Sequence, residues 1–158
     1  MKKIICKFHH FVKSNIHKTL SCLLLTAVLS GCGEKKPDSD LEAYRTDMSA
    51  FGTTIAQISV SINGIDPAAE NADEVFLSDL DLMNNAFRDM AALQVPEEYS
   101  DAGTLAYEAA AYMNDAVSLY HEAYGADGYS ETLAEQARTQ YESAMERISS
   151  IGTLFMQQ

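Results

Sequence analysis

The sequence predicts an all-α protein whose body is an antiparallel up-down-up-down four-helix bundle. Apolar residues recur in alternating steps of three and four, which is the spacing of a helix packed against another helix. Breaks containing Pro67, Pro96 and the Gly125–Gly128 segment separate four such runs. Because short connections force neighbouring helices to run antiparallel, these breaks favour folding within one chain. A pair of long hairpins or an intermolecular coiled coil is the alternative.

The first predicted helix begins at Ser39 and ends at Asn63-Gly64. Ser39 and Glu42 have the spacing of a capping box, and glycine accepts the left-handed conformation that ends many helices. The predicted buried seam contains Leu41, Tyr44, Met48, Phe51, Ile55, Ile58, Ile62 and Ile65.

The second helix is predicted to open at Asp66-Pro67, with Asp as N-cap and Pro at the first helical position. A separate turn over 68–72 is the alternative start. Pro96 ends the helix at about Gln94, since the residue before a proline avoids the helical region. Its seam contains Phe76, Leu80, Met83, Phe87 and Met90, widened by a second line of Val75, Leu82, Ala86 and Leu93.

The third and fourth helices are predicted to begin near Pro96–Tyr99 and at Ser130, with a glycine-containing turn over 125–128 between them. Their seams are rich in alanine, which predicts a close approach of neighbouring helices. The third seam contains Ala102, Leu105, Ala109, Tyr112, Ala116, Leu119 and Ala123. The fourth contains Ala134, Ala137, Tyr141, Ala144, Ile148, Ile151 and Phe155.

The segment before the bundle has the organisation of an export signal. Residues 1–31 contain five lysines and no acid, and residues 19–30 form an uncharged run. That run is shorter than the ~20 residues that a transmembrane helix needs, and it fits the apolar region of a signal peptide.

The run ends in Leu29-Ser30-Gly31-Cys32, which resembles the lipobox of bacterial lipoproteins. The resemblance implies diacylation of Cys32, removal of residues 1–31 and anchoring on the extracytoplasmic face of the cell membrane. The predicted organisation is a signal peptide over 1–31, a lipidated cysteine and tether over 32–39, and a bundle over 40–158. An ordinary secretory signal, with Cys32 as a free thiol, is the alternative.

The charge of the remaining chain is strongly negative. Residues 32–158 carry 6 basic and 23 acidic side chains, a net of −17. Such a balance argues against nucleic-acid binding and disfavours flat contact with anionic membrane or wall polymers. Many acids lie near predicted helix starts, where the helix dipole stabilises them. The sharper alternative is a surface that binds a basic partner or divalent cations.

The sequence predicts no catalytic, cofactor-binding or metal-ligating residue. His121 is the only histidine after residue 31, and Ser118 stands where a di-iron Glu-x-x-His motif needs glutamate. A haem held by Met48 and His121 is disfavoured, because these residues are predicted at opposite ends of the bundle. No acid lies on a predicted seam position. Tyr120, Tyr124 and Tyr129 form either an exposed patch or, as favoured, a plug at one end.

The Val95-Pro96-Glu97-Glu98-Tyr99 turn before an Ala/Tyr-rich helix resembles small uncharacterised helical-bundle lipoproteins of bacterial cell surfaces. The favoured function is a non-catalytic interaction or accessory module of the cell envelope, with a protein partner. The alternative is an extracytoplasmic bundle that senses a small ligand or cation. A filled core supports the first and a polar-lined cavity the second, whereas an enzyme requires buried, convergent carboxylates.

Overall fold

A computed structural model describes residues 39–125 and 128–156. This part of the chain forms four α-helices and no strand, which confirms the all-α four-helix bundle. Helix α1 spans Ser39–Gly64, α2 Ala72–Ala91, α3 Ser100–Ala123 and α4 Glu131–Met156, and a 3₁₀ turn over Glu97–Tyr99 precedes α3. The predicted signal peptide and tether before Ser39 lie outside the described residues.

Helices that follow one another along the chain pack against one another. The backbones of α3 and α4 approach over the longest stretch, those of α2 and α3 over less, and those of α1 and α2 over the least. These contacts establish the bundle, and its up-down-up-down order stays a prediction.

Helix α1 buries the predicted seam from Tyr44 to Ile65, with Leu41 partly exposed. It ends at Gly64 as predicted, but Gly64 does not adopt the left-handed conformation. Among the described residues that conformation is found only at Gly128, with φ of 100°. The predicted capping box depends on the side chain of Ser39, which lies outside the described part of the chain.

The predicted start of the second helix at Asp66-Pro67 is wrong. Asp66 Oδ1 instead accepts a hydrogen bond from the Ala68 backbone N–H at 2.9 Å, and the Asp66 carbonyl accepts one from Ala69 at 3.0 Å. These bonds form a separate turn, and α2 begins only at Ala72. The predicted end at Gln94 is also late, because α2 ends at Ala91.

The principal seam of α2 is buried as predicted, from Phe76 to Met90. The predicted second line of buried residues is not found. Leu82 is exposed, and Val75, Ala86 and Leu93 are only partly buried. Leu82 is one residue, and therefore about 100° of helix rotation, from the seam residue Met83.

The predicted seam of α3 is only half right. Its four alanines are buried, but Leu105, Tyr112 and Leu119 are partly exposed. The core is completed by five residues that the prediction omitted: Ala106, Ala110, Met113, Val117 and Tyr120. Helix α3 contacts both α2 and α4, so its buried face is wider than a single seam.

Helix α4 follows its prediction most closely. Six of its seven seam residues are buried and Phe155 is partly buried. The Ser130 hydroxyl accepts a hydrogen bond from the Leu133 N–H at 3.4 Å, which confirms the predicted cap.

Candidate functional site

The predicted lipidation site, Cys32, lies outside the described residues. Helix α1 begins at Ser39, so its first turn is the part of the bundle closest to Cys32 along the chain. If Cys32 is lipidated as predicted, the residues packed around this turn lie at the end of the bundle that is closest to the lipid along the chain.

An aromatic cluster, Tyr44, Tyr99 and Phe155, joins the starts of α1 and α3 to the end of α4. The ring centroids of Tyr99 and Phe155 are 4.7 Å apart, and Tyr44 lies 5.9 Å from Phe155 and 6.0 Å from Tyr99. Arg45 Nη2 donates a hydrogen bond to Tyr99 Oη at 3.0 Å. Burial, with a smaller contribution from neighbouring Tyr99, raises the pKa of Tyr44 to about 12. This cluster fastens the end of the bundle at which α1 begins.

A second aromatic cluster settles the position of the three tyrosines near the α3–α4 turn. Tyr120 is buried and packs edge-on against Phe76 at 5.4 Å, while Tyr124 packs against Tyr129 at 5.1 Å. Burial is the main cause that raises the pKa of both Tyr120 and Tyr124. These tyrosines plug one end of the bundle, as favoured, and do not form an exposed patch.

His121 lies on the surface of the bundle, as predicted, in the last turn of α3. Its Nε2 is 2.8 Å from Asp81 Oδ1 on α2, and both side chains are about half exposed. The candidate haem partner, Met48, is buried in the core. Within 39–125 and 128–156, no group of three or more His, Cys, Asp or Glu residues is arranged to hold a metal ion.

The expectation that no carboxylate is buried is wrong at one residue, Asp79. Its side chain is only 8% exposed, and Oδ2 accepts no hydrogen bond from the described residues. Asp79 follows Phe76 by three residues and precedes Met83 by four, so helical spacing places it beside the seam. The spacing of Asp79 from Phe76 and Met83 could therefore have indicated its burial from the sequence. One buried carboxylate is not the convergent set that acid/base catalysis requires.

A groove opens on the surface between α1 and α2, with a cavity volume of about 280 Å³. Phe51 and Met90, both buried core residues, contribute to its lining, and Asp47 and Asp89 contribute exposed carboxylates. The remaining lining residues are small or aliphatic: Ala50, Thr54, Ala86 and Leu93. The groove therefore combines an apolar surface with two negative charges.

Sequence reasoning did not identify this groove. Asp47 directly precedes the seam residue Met48, and Asp89 directly precedes Met90. Each acid therefore lies at the edge of a buried stripe. That the two edges meet depends on how α1 packs against α2, which the spacing within either helix does not specify.

Comparisons with family models, with curated proteins and with solved structures found no match to this chain. In the part of the chain that the structure describes, no helix is both long and apolar enough to cross a bilayer.

Proposed function

We propose that this chain is a membrane-anchored lipoprotein of the bacterial cell envelope that acts as a non-catalytic interaction module. The observation that carries the proposal is the filled apolar core. Aromatic residues, Ile, Leu, Met and Ala fill it, and Asp79 and Ser59 are its only buried polar or charged residues among those described. Such an interior stabilises a fold and leaves the outer surface as the place where function is carried out.

The anchor is the lipidated Cys32, with the tether over 33–39. From Cys32 to Ser39 the chain can reach at most about 25 Å at ~3.3–3.6 Å per residue, so the bundle is held close to the membrane. Helix α1 continues directly from this tether. The anchored end is therefore the end fastened by Tyr44, Tyr99 and Phe155.

The charge of the bundle indicates the kind of partner. Lys36 is the last lysine of the chain, and four arginines follow it. Three of them bind within the bundle: Arg45 to Tyr99, Arg138 to Glu135 and Arg147 to Glu108. Most of the described acids lie at exposed positions, which supports a positively charged protein partner.

The alternative function, sensing a small ligand or cation inside the bundle, has weaker support. Ligand pockets of drug-sized molecules usually measure ~300–1,000 Å³. The α1–α2 groove is about 280 Å³ and lies on the surface. It is better suited to one side chain of a partner than to an enclosed small molecule.

Labelling with radioactive palmitate in a bacterial host tests the anchor. The full chain should incorporate label, Cys32→Ala should not, and Cys22→Ala is the matched control because it alters a cysteine of the signal peptide. Globomycin, which inhibits the lipoprotein signal peptidase, should cause the unprocessed chain to accumulate. Absence of label in the unaltered chain would refute the anchor.

Native gel electrophoresis of mildly solubilised membranes tests the interaction. The chain should migrate in a complex with another protein at low salt and dissociate as salt is raised, because exposed charge pairs are screened. Migration as a monomer at low salt would contradict the proposed role.

A further inference from the structure

We propose that the groove between α1 and α2 receives an arginine side chain presented by the partner protein. The inference rests on the proposed interaction function and deepens it by assigning the surface and the chemistry of the partner.

The lining matches the two parts of an arginine side chain. Phe51, Met90 and Leu93 provide apolar surface, which suits the methylene stem of arginine. Asp47 and Asp89 supply carboxylates, which bind a guanidinium through charge-assisted hydrogen bonds. Arginine suits the groove better than lysine because its planar group donates to two carboxylates at once and is more weakly hydrated.

Both carboxylates are available to such a partner. Within the described ranges, neither Asp47 nor Asp89 makes an ion pair or a side-chain hydrogen bond. Asp81, by contrast, is occupied by His121, and Glu108 is occupied by Arg147. The groove therefore differs from neighbouring acidic surface in joining free carboxylates to an apolar lining.

The groove also lies in the half of α1 closer to the tether. Asp47 is eight residues after Ser39, which corresponds to about 12 Å along a helix. With a short tether, this position favours a partner segment that is itself close to the membrane surface.

Binding of a rhodamine-labelled peptide, Ala-Arg-Ala-Leu-Arg-Ala, to the lipidated chain in phosphatidylcholine nanodiscs tests the proposal by fluorescence anisotropy. The matched peptide carries citrulline, the neutral isostere of arginine. We expect salt-sensitive binding of the arginine peptide and at least about fivefold weaker binding of the citrulline peptide. Equal binding of the two peptides, or no binding of the first, would overturn the proposal.

Two sets of variants localise the binding. Asp47→Asn with Asp89→Asn should weaken it at least about fivefold, whereas Asp101→Asn with Asp115→Asn, equal in charge and on exposed positions of α3, should change it less than about twofold. Equal weakening by both pairs would show that bulk charge alone attracts the peptide. The groove would then not be the binding site.

Ala50→Leu fills the groove without a change of charge and should abolish binding. Ala111→Leu, on an exposed position of α3, should leave it unchanged. If Ala50→Leu bound the arginine peptide as well as the unaltered chain does, the groove would likewise not be the binding site. Circular dichroism of each variant verifies the fold. Since palmitate labelling is independent of these readouts, failure of the groove and failure of the anchor are distinguishable.

Discussion

The α3–α4 pair and the α1–α2 pair use side chains of different size to pack helices together. The α3–α4 pair, whose backbones approach over the longest stretch in the bundle, has six fully buried alanines: Ala102, Ala109, Ala116, Ala123, Ala137 and Ala144. The α1–α2 pair packs Phe51 edge-on against Phe87 with centroids 5.3 Å apart, and its backbones approach over a shorter stretch than those of α3 and α4.

This difference explains where the surface groove lies. Small residues let two helices close on one another, whereas large ones hold them apart. Between α1 and α2 the separation leaves a groove whose lining includes the buried core residues Phe51 and Met90. The alanine seams thus stabilise the bundle, and the bulky pair creates its candidate binding surface.

The largest expected effect is the removal of a bulky side chain from the α1–α2 pair. Phe87 is fully buried, so Phe87→Ala should lower the free energy of unfolding by about 3–5 kcal/mol through lost burial and a cavity. Phe87→Leu should cost clearly less. Urea denaturation measures both, and equal losses would show that the size of this side chain does not determine the packing.

The reverse change tests the α3–α4 pair. Ala144 is fully buried, so Ala144→Leu should cost about 1–3 kcal/mol by overpacking a close helix contact. Ala111→Leu on the exposed side of α3 should change stability by less than about 0.5 kcal/mol. If Ala144→Leu proved neutral in the same denaturation assay, α3 and α4 would not be as close as the alanine seams indicate.

The buried carboxylate of α2 provides a smaller effect with the opposite sign. Asp79→Leu should raise the free energy of unfolding by about 1–2 kcal/mol, because it replaces a buried oxygen that lacks a hydrogen bond in the described structure. Asp89→Leu, an exposed control on the same helix, should remain within about 0.5 kcal/mol of the parent. A loss of stability in Asp79→Leu would show that the carboxylate has a stabilising role.

The smallest effect at neutral pH is expected at Tyr44, near the start of α1. The pKa of Tyr44 is raised to about 12 in the folded chain from an ordinary value near 10. Its contribution is therefore fully present below pH ~10 and is lost as pH rises through 12, because the unfolded chain releases the proton first.

Tyr44→Phe removes that titration, so unfolding should become less sensitive to alkali between pH ~10 and ~12. Stability at pH 7 should change little, since the Tyr44 hydroxyl accepts no hydrogen bond from the described residues. Tyr107→Phe, at a side chain 74% exposed, is the control. If the free energy of unfolding fell with alkaline pH as steeply in Tyr44→Phe as in the parent, the raised pKa of Tyr44 would be refuted.

Much of the fold was predictable because burial repeats with the period of a helix. The seams of α1 and α4 and the principal seam of α2 needed only the spacing of apolar residues. The seam of α3 was half missed because that helix has two neighbours, which rotates and widens its buried face. The start of α2 was missed because Asp66 caps a turn as readily as a helix.

The candidate site was less predictable, because it depends on contacts between helices. Asp47 and Asp89 are 42 positions apart in the chain, and their separate environments are ordinary helix surface. Only the packing of α1 on α2 places both on one groove. The predicted lipidation site has the opposite character, because a basic segment, a short apolar run and Leu29-Ser30-Gly31-Cys32 follow one another directly in the sequence.

Photocrosslinking in living cells captures whatever occupies the α1–α2 groove. A photoreactive amino acid replaces Ala43, an exposed residue of α1 one turn before Asp47, or, as the control, Tyr107 on the exposed side of α3. We expect an adduct from position 43 with a membrane-associated protein, crosslinked beside an arginine, that is absent from position 107 and lost with Asp47→Asn/Asp89→Asn. No adduct from position 43, or equal adducts from both positions, would contradict the proposed binding of arginine in the groove.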